Sequence, residues 1–202
     1  MGLLRFLTPQ RDRITDAAVE VAYVAGLDGI PTRSVKSWEE DRLLRLERPL
    51  NESGKFYVPW NVDGHGERLL CTASLMERER PYHLPVELAR GTLNRLRTRA
   101  EGWKTVGLHL PESLLLQIKS AQTSFVHAAT SQRDGMAATV SAEETIGESL
   151  EAMNTLADQY ASQVLSARHE EYGPLGTLLA GGLGDGPISS NAEPMFCAAF
   201  NA

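Results

Sequence analysis

Apolar residues between Pro81 and Trp103 recur at steps of three and four: Val86, Ala89, Leu93, Leu96, Ala100 and Trp103. That spacing lines up one buried stripe along a helix. Upstream the texture is different. Short segments bearing aromatic and branched residues alternate with turns rich in Gly, Pro, Asn and Asp, the pattern of strands. A chain that switches in this way is predicted to be α+β: a small, mostly antiparallel sheet with one short helix, followed by a three-helix antiparallel region. Pro85 suits the first helical turn, where its missing N–H costs little, and Glu87 faces the helix N-terminal dipole. Arg90, Arg95, Arg97 and Arg99 lie off the stripe and read as a solvated face with packed stems.

In chain order, Leu3 to Leu7 is a strand candidate closed by Thr8-Pro9. Thr15 or Asp16 can cap a helix through Ala25, stopped by Gly26. Ser34 to Trp38 and Leu43 to Arg48 follow as strands. In the second, Leu44 and Leu46 alternate with Arg45 and Glu47, as in a half-buried strand. Phe56 to Val62 puts Phe56, Val58 and Trp60 on one face and Tyr57 on the other. Pro59 removes a ladder donor and places this strand at an edge or a bulge. Asp63-Gly64-His65-Gly66 turns into a last strand, Leu69 to Met76.

Downstream, Leu114, Ile118, Ala121, Phe125 and Ala128 mark a second helix opening at Pro111. Gln132 to Val140, with Gly135 inside, reads as a loop. Ser141-Ala142-Glu143-Glu144 reads as a capping box opening the longest helix, which runs to about His169. Gly173-Pro174 stops it, a glycine-rich run follows from Gly181, and Glu193 to Asn201 resembles one more short helix. The expected organisation is a β-rich module over 1–80, a helical region over 81–171 and a linker leading to a further domain over 172–202.

Composition narrows the function. The 202 residues are 42% hydrophobic and 23% charged, ordinary for a globular chain, with a formal net charge of −6. An acidic balance argues against a general nucleic-acid binder, because neutralising phosphates needs a basic surface. No stretch reaches membrane-spanning length, the N-terminal apolar run is too short for a signal peptide, and Phe6 breaks the myristoylation pattern. A cytoplasmic or leaderless protein is the expectation. Cys71 and Cys197 read as buried thiols.

Few residues announce chemistry. The run Gly181 to Pro187 lacks the Lys-Ser/Thr of a phosphate loop and fits no dinucleotide fingerprint, so no nucleotide cofactor is expected. His65, His83, His109, His127 and His169 are scattered without ligand spacing, and no metal site is expected. Glu39-Glu40, Glu143-Glu144 and Glu170-Glu171 read as solvated pairs, with nothing apolar nearby to raise one for acid work. No self-contained catalytic site is legible. The aromatics Trp38, Tyr57, Trp60 and Tyr82 are the better lead, since flat rings on a sheet stack against the C–H faces of sugars. Trp60, sharing a face with Phe56 and Val58, reads first as core.

Three segments carry a resemblance: AYVAGLDGIP (Ala22 to Pro31), SGKFYVPWNVDGHGE (Ser53 to Glu67) and TASLMERERPYHLPVELARGTLNRLR (Thr72 to Arg97). Together with Leu183 to Asn201, ending MFCAAFN, they resemble the N-terminal region of planctomycete-type glycoside hydrolase family ten (endo-1,4-β-xylanase-like) proteins. The resemblance implies that the chain stops at the beginning of a (β/α)8 barrel whose two catalytic glutamates lie downstream of Ala202. No glutamate here inherits those roles. The implied function is a non-catalytic ancillary module that contacts polysaccharide or oligosaccharide, or docks on the barrel of the same polypeptide. The competing expectation is an interaction protein that uses its amphipathic helices, with Met153 and Tyr160 on the seam, to bind a second copy or another partner.

Overall fold

A computed structural model describes residues 2–26 and 28–173. The glycine run from Gly181, the short helix expected over Glu193 to Asn201, Cys197 and the expected start of a barrel lie outside the described residues. Residues up to Tyr160 form one compact unit. The described part of the second unit, 161–173, ends a long helix.

The described residues form a mixed α+β fold, with two four-stranded sheets in place of the single sheet expected. In the first, β1 (Gly2–Leu7) lies between β5 (Leu43–Arg48), antiparallel to it, and the two-residue β8 (Tyr82–His83), parallel to it. β4 (Val35–Glu40) forms the outer edge beside β5. The second sheet is antiparallel throughout, in the order β3 (Pro31–Thr32), β2 (Tyr23–Ala25), β6 (Lys55–Val62), β7 (Gly66–Cys71). The inner faces meet where Phe6 stacks on Phe56, ring centroids 4.8 Å apart.

A second sheet exists because the helix expected through Ala25 stops early. Thr15 caps α1 (Asp16–Val21), its hydroxyl accepting the Ala18 N–H at 3.0 Å. The backbone then turns extended at Ala22, and Val24 is buried as a strand residue. Local helical spacing lost to a non-local pairing, Val24 with Phe56. The last strand also ends sooner than expected, at Cys71, and Leu75 keeps only an isolated bridge to Gly54. Pro59 sits where its missing donor costs nothing. Phe56 turns its backbone groups toward β7, so by alternation residue 59 points away from it, on the side where β2 has already ended.

Three long helices follow: α2 (Leu84–Thr105), α3 (Glu112–Thr130) and α4 (Gly135–Tyr172). The predicted stripe of α2 is buried at Val86, Ala89, Leu93, Leu96 and Ala100. Its N-terminal half joins the sheets, α1 and the start of α4 in one core; Leu93 onward joins α3 and the middle of α4 in a second. A division near Arg80 therefore separates no cores. None of the described helices is both long and apolar enough to cross a membrane.

The start of α4 also departs from expectation. Residues 135–140 are helical, not a loop, and Ser141 lies inside the helix. The cap is Asp134, whose Oδ1 accepts the N–H groups of Met136 and Ala137, each at 3.1 Å. Gly135 is the first helical residue, and buried Ala138 and Thr139 hold this turn down. Asp134→Ala is expected to cost about 1 kcal/mol, read as a lower urea midpoint with an unchanged slope. The seam of α4 is engaged within the chain: Tyr160 stacks on Trp103 at 4.4 Å and Met153 packs against the second core.

A candidate binding groove and an acidic cleft

The groove is a product of one close approach. Gly91, on the α2 face turned to the second sheet, has no side chain to separate it from the end of β7; a Cβ there would lie 1.9 Å from the Cys71 carbonyl oxygen. The helix therefore rests directly on the strand. One turn on, Arg95 donates from Nη2 to the buried Cys71 sulfur at 2.8 Å. Another turn on, the Arg99 guanidinium lies 5.4 Å from the Trp103 ring centre.

The opposite wall comes from β6. Tyr57 pairs across the strands with Tyr23, and the two rings stack 4.8 Å apart and nearly parallel at 7°. Tyr57 is half-buried. Burial, with Cys71 close by, pushes its hydroxyl above the ordinary phenol range, so it stays a neutral donor. Lys55 is exposed at the rim. The resulting space is about 420 Å³ and is lined by Tyr57, Trp103, Asn94 and Thr98, with Lys55, Arg95 and Arg99 the only charged residues around it among the described residues.

A second cleft, about 610 Å³, lies between the chain before α1, the end of β6 and α4. Its floor is a contact across 83 positions of sequence: Trp60 Nε1 donates to Glu143 Oε1 at 3.0 Å. Burial pushes the Glu143 carboxyl up to about 7, against the opposing pull of the Trp60 hydrogen bond and of Arg13. Arg13 holds Asp63 in a two-pronged ion pair at 2.6 and 2.8 Å, which keeps that exposed carboxyl below its usual range. Glu144, Glu148 and Glu151 complete the acidic rim. The reading of Glu143-Glu144 as a plain solvated pair is thus corrected: Glu144 is exposed, but Glu143 lies against the core indole.

The four aromatics singled out from sequence do not form one platform. Trp60 is 0% exposed and belongs to the core, so it offers no ring face to a sugar. Tyr82 is buried as well, its hydroxyl donating to the Met76 carbonyl at 2.7 Å and its ring covered by Arg78 at 3.5 Å. Trp38 is half-buried on the edge strand β4, with the Arg11 guanidinium 4.0 Å from its ring centre, and lines a separate shallow cavity. Only Tyr57 opens onto the groove. Sequence reasoning missed Trp103, Asn94, Arg95 and Arg99 as its other wall. A signal was present: Gly91, Arg95, Thr98 and Gly102 step four, three, four along one side of α2.

Among the described residues, no group of three or more His, Cys, Asp or Glu side chains is placed to hold a metal ion. No protein-family model matches the chain, and no curated protein shows significant similarity to it.

Proposed function

We propose that this chain is a non-catalytic, saccharide-contacting module of a xylanase-like glycoside hydrolase, its barrel supplied by the same polypeptide downstream. The observation that carries this reading is the groove at Tyr57. A ring held flat by Tyr23 sits beside Asn94, Thr98 and Arg95, which offer neutral and charged donors at the same opening. Aromatic faces for sugar C–H groups and planar donors for hydroxyls are the two elements that pyranose recognition requires. The sequence resemblance supplies the polysaccharide class, xylan. On α3, Leu116 and Val126 remain more than half exposed, an apolar surface suited to docking on the barrel.

The test is binding of xylo-oligosaccharides and soluble xylan by the full chain, measured by calorimetry and affinity electrophoresis. Tyr57→Ala is expected to weaken binding about fivefold, the loss of one aromatic contact of about 1 kcal/mol. Trp38→Ala, outside the groove, is expected to leave it unchanged. Equal affinity in wild type and Tyr57→Ala, with circular dichroism unaltered, would move the site elsewhere; no binding of any xylan saccharide would end the reading.

A further inference from the structure

The charge of the Tyr57 groove is out of character with the chain. The protein carries a formal net charge of −6, yet among the described residues three cations and no carboxylate line this space. Some cations elsewhere are matched: Arg11 with Asp16, Arg13 with Asp63, Arg45 with Glu39 and Glu47, Arg90 with Glu87. Lys55, Arg95 and Arg99 are outside those ion pairs, as are several other cations, but these three border one space. Arg95 and Arg99 stand four apart on one helix, a spacing at which like charges repel. An anion between them removes that repulsion and collects three favourable interactions in a partly enclosed space.

Geometry favours a planar anion. Arg95 is anchored by its Nη2 contact with the Cys71 sulfur, so its guanidinium is oriented before any ligand arrives. A preorganised fork matches a carboxylate or a phosphate with two parallel hydrogen bonds, whereas a lysine offers only a point charge. Tyr57 and Asn94 border the same space and suit a ring attached to that anion.

We infer that the groove selects acidic saccharides, with Arg95 and Arg99 gripping the carboxylate of a uronic acid residue while Tyr57 packs against its ring. The inference rests on the saccharide reading above and adds the charge of the ligand to it. A phosphate group would meet the same cations, and the experiment separates the two sources.

The full chain is titrated in low salt with a glucuronic acid-substituted xylo-oligosaccharide, the unsubstituted oligosaccharide of equal length, and inorganic phosphate. The acidic sugar is expected to bind at least tenfold tighter than the neutral one, and raising the salt is expected to erase most of that difference. Arg95→Gln and Arg99→Gln are each expected to weaken binding of the acidic sugar several-fold more than that of the neutral one. Because Arg99 is exposed, its variant keeps the test informative should Arg95→Gln disturb the fold. Equal affinity for the acidic and neutral sugars overturns the inference and leaves the saccharide reading standing. Binding of phosphate with no binding of either sugar overturns both and makes the groove a phosphate site. Silence toward all three overturns both as well.

Discussion

Gly91→Ala is expected to destabilise the protein by about 3 kcal/mol or more, although alanine is the better helix former by about 1 kcal/mol. The added Cβ would lie 1.9 Å from the Cys71 carbonyl oxygen, 2.7 Å from the Thr72 carbonyl carbon and 2.8 Å from that of Cys71. All three are backbone atoms of a strand end, so no rotamer change can make room. Relief requires α2 to lift away from β7. That movement loosens Leu84, Leu88, Leu93 and Leu96, which are buried along the same helix. Gly102 supplies the control. It stands on the same helix with nothing within 4 Å of its would-be Cβ, and Gly102→Ala is expected to gain about 0.5–1 kcal/mol. Urea unfolding of the two variants should shift the midpoint in opposite directions. A Gly91→Ala protein as stable as wild type would mean that helix and strand are not in backbone contact.

The second large effect depends on pH. The Glu143 carboxyl is raised from an ordinary 4.5 to about 7 in the folded chain, chiefly by burial. Between those values the native state holds a proton that the unfolded chain has lost. Stability tied to this group is therefore fully present below about 4.5 and is lost as the pH rises through about 7. At about 1.4 kcal/mol per unit, the loss is on the order of 2–3 kcal/mol by pH 8. Glu143→Gln cannot ionise, and its side-chain oxygen still accepts from Trp60 Nε1. The variant is expected to match wild type near pH 4.5 and to exceed it by about 2 kcal/mol at pH 8, in urea titrations at each pH. Parallel stability curves for the two proteins would place Glu143 in solvent.

Both effects arise from contacts that sequence patterns cannot report. Helical periodicity located the α2 stripe and the α3 stripe at Leu114, Ile118 and Ala121, because a buried face writes itself into local spacing. Alternation located Leu44 and Leu46 for the same reason. What failed was long-range. The chain after Val21 has helical spacing, but its fate was decided by Phe56, more than thirty positions away. Gly135 looked like a breaker because its role as the first helical residue depends on Asp134 folding back over it. Arg95 and Arg99 looked solvated because only the resting place of α2 on β7 turns their face into one wall of a groove. Glu143 looked solvated because its indole partner lies 83 positions away.

The placement of α2 has a mechanical consequence. Leu84, Val86, Leu88 and Ala89 belong to the core beneath the sheets, and Leu93, Leu96 and Ala100 to the core among the helices. One rigid rod is thus a beam common to both interiors, which α3 and α4 also join. Any opening that frees one end of the beam slackens the other, so strands and helices lose their protection from solvent exchange together. Cutting the chain near Arg80 would strip the sheets of the beam they rest on and open the core that they share with it.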